Sequence, residues 1–152
     1  MCEVGAITRA CGAATPGLAK IYAIDEADVT SIPAPTGFTV GSDIVLGSGK
    51  FFKEIPFVEQ KAGFTDDIAD AVGGGFQKKL ALKLSKYSAA NNKWINDLIG
   101  ARMIVVLADN NGQMVIVGSK TAPVRLQKAT GNTGQKFGDE NGWDMELAAE
   151  GV

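Results

Sequence analysis

Residues 76–86 read FQKKLALKLSK, and their alternation decides the fold. Phe76, Leu80, Leu82 and Leu84 fall on one side of an extended chain, and Gln77, Lys79, Lys83 and Ser85 on the other. A two-residue period of this kind belongs to a strand with one face buried and one in water. The last strand repeats it: Trp143, Met145 and Leu147 face inward while Asp144 and Glu146 face solvent.

Upstream, residues 50–60 carry Phe51, Phe52, Ile55, Phe57 and Val58, which suit a second strand. Pro56 offers no ladder donor and places that strand at an edge or bulge. Residues 61–75 join the two and read as a loop longer than a hairpin needs. It holds Gly63, Phe64, Asp66, Asp67, Ile68, Asp70 and Val72 before Gly73, Gly74 and Gly75, and the glycine triplet reads as a hinge. The mixture of apolar and acidic side chains fits a segment that orders against a neighbouring subunit, and fits equally a mobile excursion without a role.

Downstream, Ser88 is a helix cap, Trp94, Ile95, Leu98 and Ile99 share one helical face, and Gly100 ends the helix. Residues 102–108 and 114–117 are apolar on both faces and meet through Asp109-Asn110-Asn111-Gly112, whose Asn-Gly pair favours the left-handed angles of a tight hairpin, expected to be central. Residues 124–128 form a weaker strand, followed by a polar linker at 130–134 and a turn at 139–142. The first forty residues are rich in Ala, Gly, Pro and Thr, with a strand only at 18–24 and a proline-broken loop at 32–37, so residues 1–40 leave room for an extended N-terminal arm. About six or seven strands and one helix predict a mainly β, single domain over residues 1–152: an antiparallel β-sandwich or barrel with an α-helix packed on it and a long hairpin with an extended loop.

Composition narrows the function. The chain has no histidine, which removes the commonest general base, the Ser-His and Cys-His nucleophile pairs and most transition-metal sites. Asp66, Asp67 and Asp70 are the remaining candidates for carboxylate chemistry, and in a glycine-flanked segment they read as solvated. Gly47-Ser48-Gly49-Lys50 fails as a phosphate loop, since its first glycine would fall at Ile44 and its Ser/Thr at Phe51. The Gly73–Gly75 triplet runs into a strand where a dinucleotide site needs a helix. The two Asp…Asn-Gly turns lack calcium-loop spacing. Cys2 and Cys11 are expected to be free thiols. No catalytic, cofactor-binding or metal site is expected, and the protein is not expected to be an enzyme.

A net charge of -2 gives no basic footprint for gripping nucleic acid. No apolar run approaches the roughly 20 residues that cross a bilayer. Glu3 precedes any basic residue and no apolar core of a secretion signal follows, so folding in a cytoplasm is expected.

The order of features resembles that of tail-tube and related ring-forming structural proteins of tailed bacteriophages, most closely those of Bacteroidetes-type and marine phages, over about residues 57–147. The residues that carry the resemblance are Cys2, the Leu80-Ala81-Leu82-Lys83-Leu84 run, the apolar strand from Ile104 into Asp109-Asn110-Asn111-Gly112, and the closing Thr133-Gly134, Gly138-Asp139 and Gly142-Trp143. The resemblance implies a virion protein, assembled in the host cytoplasm, that forms hexameric rings stacked into a tail tube with a continuous inner β-barrel. Its partners would be copies of itself, other tail or connector proteins, and genomic DNA passing without specific binding.

On that reading Gln77, Lys79 and Lys83 line the channel, and Gly63, Phe64, Asp66, Ile68, Val72, Gly73, Gly74 and Gly75 form the self-assembly loop between rings. Lysines on a channel strand would hold phosphates unless acids pair with them. A head-to-tail connector, a tail terminator or a capsid-associated protein would use the same fold. A monomeric β-sandwich that binds a carbohydrate or other small ligand is the reading from a different class.

Overall fold

A computed structural model describes residues 16–36, 39–58, 61–70, 75–139 and 141–151. In chain order its strands are Leu18–Asp25 (β1), Val29–Ser31 (β2), Val45–Leu46 (β3), Lys53–Glu54 (β4), Gly63–Asp70 (β5), Gly75–Ser85 (β6), Met103–Asp109 (β7), Met114–Val117 (β8), Arg125–Asn132 (β9) and Gly142–Gly151 (β10). The helix Ala89–Leu98 (α1) lies between β6 and β7, and a 3-10 turn, Glu26–Asp28, between β1 and β2.

Two antiparallel four-stranded sheets result, sheet one in the order β4-β1-β7-β8 and sheet two in the order β5-β6-β10-β9, with β2 and β3 as a separate pair. The sheets face each other without closing into a barrel. Two segments stitch them together. Ile55 N donates to Ile21 O in sheet one (2.8 Å) and Val58 N to Lys83 O in sheet two (2.9 Å), so the stretch around Pro56 carries the chain across the corner. Val124 exchanges two backbone hydrogen bonds with Met103 of sheet one before β9 enters sheet two.

The core fills the space between the sheets. Ile21, Val105, Leu107 and Val117 from sheet one meet Leu80, Leu82, Leu84, Met145 and Leu147 from sheet two, all nearly or fully sealed from water. Each fully buried Leu, Ile or Val contributes about 1.5–3 kcal/mol. Sheet one is covered on its other face too: Ile24 and Ile104 pack with Val29, Ile32, Ile44, Leu46 and Phe52 from the 29–52 excursion. That second layer is why β7 is apolar on both faces.

Helix α1 begins as expected, with Ser88 Oγ accepting from Asn91 N (3.3 Å). Ile95 and Leu98 are buried and Trp94 packs beside them, while Gly100, at φ 76°, ends the helix. Asn91 Nδ2 donates to the carbonyls of Ser85 and Lys86, and Trp143 Nε1 donates to Asn92 Oδ1 (2.7 Å), which ties the helix to sheet two. Ile99, expected on the buried face, is 69% exposed because it leaves helical geometry as the C-terminal cap.

Several other expectations are corrected. The long strand expected at 50–60 is not seen among its described residues 50–58: there Lys53–Glu54 alone forms a strand, because the turn across the corner at Pro56 leaves no straight run to pair. The loop expected at 61–75 is largely strand β5, whose acids are tolerated because it is a sheet edge. The segment expected as a linker at 130–134 continues β9 to Asn132. The β7–β8 hairpin is only half central, since β8 is an edge. Its turn is wider than an Asn-Gly pair alone would make: Asp109 N bonds Gln113 O, Asp109 Oδ1 accepts from Asn111 N and Gln113 N, and in the turn Gly112 alone is left-handed (φ 83°). The strand expected at 18–24 is present as β1, in sheet one, with Ile21 fully buried. Cys2 and Cys11 lie outside the described residues.

Candidate self-assembly surface

The outward face of sheet two is built on the side chains that alternate with the core leucines. Gln77, Lys79 and Lys83 all stand on it, as the alternation of β6 requires. The acids come from β10, one strand away. Lys83 Nζ lies 3.4 Å from Asp144 Oδ1, Lys79 Nζ 3.5 Å from Glu146 Oε1, and Gln77 Nε2 donates to Glu150 Oε1 at 2.6 Å. Asp144 is directly opposite Lys83 and Glu150 directly opposite Gln77 in the register, whereas Glu146 reaches Lys79 diagonally. The Lys83 side chain is only 13% exposed, so its aliphatic stem lies along the sheet with its head group at Asp144. Exposed pairs of this kind contribute about 0–1 kcal/mol each, so their larger effect is to cancel the positive charge of the lysines on that face.

The self-assembly loop expected from sequence is divided by the structure. Gly63, Phe64, Asp66 and Ile68 belong to β5, Gly75 opens β6 opposite Asp70, and Val72, Gly73 and Gly74 lie outside the described residues. Strand geometry also separates the acids. Asp66 is on the core-side parity with Phe64 and pairs with Lys78 at 3.9 Å, while Asp67, opposite Gln77, is on the outward face. Neighbouring side chains on a strand point apart, so Asp66 and Asp67 do not form a carboxylate dyad.

The two ends of sheet two are its least satisfied feature. Among the described residues no strand pairs with the outer side of β5 or of β9, and each edge is 8 residues long. Sheet one ends instead in strands of 2 and 4 residues. Edge β5 carries Asp66, Asp67 and Asp70, and edge β9 carries Arg125 and Lys128. Among the described residues Asp67, Arg125 and Lys128 make no ion pair. Sequence reading missed β9 as an edge because a bulge at Glu146/Leu147 in its pairing with β10 breaks the two-residue period.

Two open grooves flank the sheets. One, of about 1440 Å³, lies between the outer face of sheet one and the 30–46 segment, with Tyr22, Phe52 and Ile116 in its wall. The other, of about 500 Å³, opens beside the start of β5 at Ala62, Gly63 and Phe64. Among the described residues no group of three or more Cys, Asp or Glu side chains is gathered as a metal site would need, and no helix is long and apolar enough to cross a membrane. Compared with known proteins, the chain matches no protein-family model, no curated protein and no solved structure.

Proposed function

We propose that this is a virion structural protein that assembles with copies of itself into rings stacked as the tail tube of a tailed phage, with DNA passing through the lumen. The observation that carries the reading is sheet two: four strands, all antiparallel, open among the described residues at both ends, along edges of 8 residues and of opposite charge. A long open edge is an aggregation hazard unless something covers it, and closing a sheet on itself removes the hazard entirely. One edge cannot pair with its own copy and leave the other satisfied, whereas β9 of one copy against β5 of the next satisfies both. Such a heterologous contact generates rings or filaments.

The outward face fits a channel wall. Lys79 and Lys83 are paired with Glu146 and Asp144, which disposes of the difficulty that unpaired lysines would hold phosphates. The partners on this reading are further copies of the chain and adjoining tail or connector proteins, and the site of action is the virion after assembly in the host cytoplasm. A connector, tail terminator or capsid-associated protein would use the same edges but stop at one closed ring.

The wide groove on sheet one favours a second reading, a monomer that binds a small ligand there. Negative-stain electron microscopy with light scattering over a range of concentrations separates these outcomes. Stacked rings or tubes with a central hole are expected; single rings point to the connector or terminator role; a monomer at every concentration contradicts self-assembly and leaves the groove as the functional site.

A further inference from the structure

The backbone parity of the two edges narrows the register of a joint between copies, a step that rests on the self-assembly reading above. Lys83 O accepts from Val58 N on the β5 side of β6, so the odd-numbered residues of β6 turn their backbone groups toward β5 and the even-numbered ones toward β10. In β5, Gly63, Thr65 and Asp67 therefore bond to β6, and Phe64 and Asp66 face the free edge. The same alternation carried through Trp143 and Met145 of β10 makes Thr130 and Lys128 of β9 bond inward and leaves Ala129 and Gly131 facing the other free edge. Strand directions alternate across sheet two, so the next copy's β5 meets β9 antiparallel.

We propose that β9 of one copy pairs with β5 of the next in full overlap, with Gly63 beside Asn132 and Asp70 beside Arg125. Both strands are 8 residues long, so nothing overhangs. The free-edge residues then coincide, Phe64 with Gly131 and Asp66 with Ala129, and all four belong to the core-side parity of their strands. On the outward face Thr65 meets Thr130 and Asp67 meets Lys128, an opposite-charge pair at a non-hydrogen-bonded position, where side chains approach most closely. Phe64 arrives beside the stacked Tyr87 and Trp143 rings, which already occupy the space above Gly131.

Sedimentation velocity on four preparations tests the register: Asp67→Lys alone, Lys128→Asp alone, their equimolar mixture, and the variant carrying both changes, each against the unaltered chain. Both positions are exposed, so unchanged melting of each variant confirms an intact fold. Each single variant places like charges at every joint and is expected to need roughly tenfold more protein to assemble. In the mixture, alternating copies restore a Lys–Asp pair at every joint, so the mixture and the double variant return to the behaviour of the unaltered chain. Single variants that assemble normally while the unaltered chain forms particles overturn the register and leave self-assembly standing. A mixture no better than its components does the same. An unaltered chain that stays monomeric overturns both. As a check independent of charge, Thr65→Cys with Thr130→Cys is expected to cross-link successive copies into a ladder on oxidation, since opposed non-hydrogen-bonded positions lie within disulfide reach; absence of the ladder in assembled particles overturns the register.

Discussion

Sheet one and sheet two hold the same number of strands yet handle solvent in opposite ways. Sheet one is covered on one face by sheet two and over part of the other, around Ile24 and Ile104, by the 29–52 excursion, and its edges are cut short. Sheet two keeps one face wet, neutralises it with cross-strand ion pairs, and among the described residues leaves two long edges open. On the proposed reading, the difference gives stability to sheet one and the shared core, and assembly to the rim of sheet two.

The comparison can be broken most forcefully at the close packing inside sheet two. A Cβ on Gly142 would collide with the carbonyl oxygen of Leu84, a backbone atom that cannot move aside. Gly142→Ala is therefore expected to cost about 3 kcal/mol or more and to appear as a large fall in melting temperature. If melting is unchanged, the pairing of β10 with β6 at this point is wrong.

Next in size is the contrast between outward positions on the two sheets. Ile104, on the outer face of β7, is fully buried by the excursion, whereas Glu146, on the outward face of β10, is part of the polar face. Ile104→Ala should cost about 2–5 kcal/mol and Glu146→Ala no more than about 1 kcal/mol, measured by denaturant unfolding. Equal costs would abolish the distinction between a covered sheet and a wet one.

The helix tie is smaller. Asn92→Ala leaves the partly buried Trp143 indole without its acceptor and is expected to cost about 1–2 kcal/mol. The smallest effect is stabilising. Lys86 sits at φ 75°, a left-handed conformation that a Cβ disfavours, so Lys86→Gly is expected to raise stability by up to about 1 kcal/mol, through removal of strain partly offset by a more flexible unfolded chain.

Residues with strong periods were legible in the sequence and those whose structure depends on distant partners were not. The leucines of β6, the Trp143, Met145 and Leu147 alternation of β10 and the Ser88-capped helix all carry their structure locally. Strand β5 hid because Asp66, Asp67 and Asp70 resemble a solvated loop unless the position at a sheet edge is known, and its pairing slips between Asp67 and Asp70. Strand β9 was read only in its first half, at 124–128, because a bulge in its pairing with β10 breaks the two-residue period. The ion pairs of Lys79 and Lys83 join strands some sixty residues apart in the chain, which no local pattern reveals. The candidate channel face was therefore visible as a set of residues, Gln77, Lys79 and Lys83, but not as a neutralised surface. The segment expected to mediate assembly was given the wrong conformation, since its residues 63–70 form an edge strand and not a loop.

The most direct measurement is amide hydrogen exchange of the chain at low concentration and again as assembled particles. If the rim of sheet two is the joint, the amides of Phe64 and Asp66 in β5 and of Ala129 and Gly131 in β9 exchange freely in the monomer and become strongly protected on assembly, while those at the edge strand β8 stay as they were. Assembled particles in which the β5 and β9 edges remain open to exchange would contradict the account.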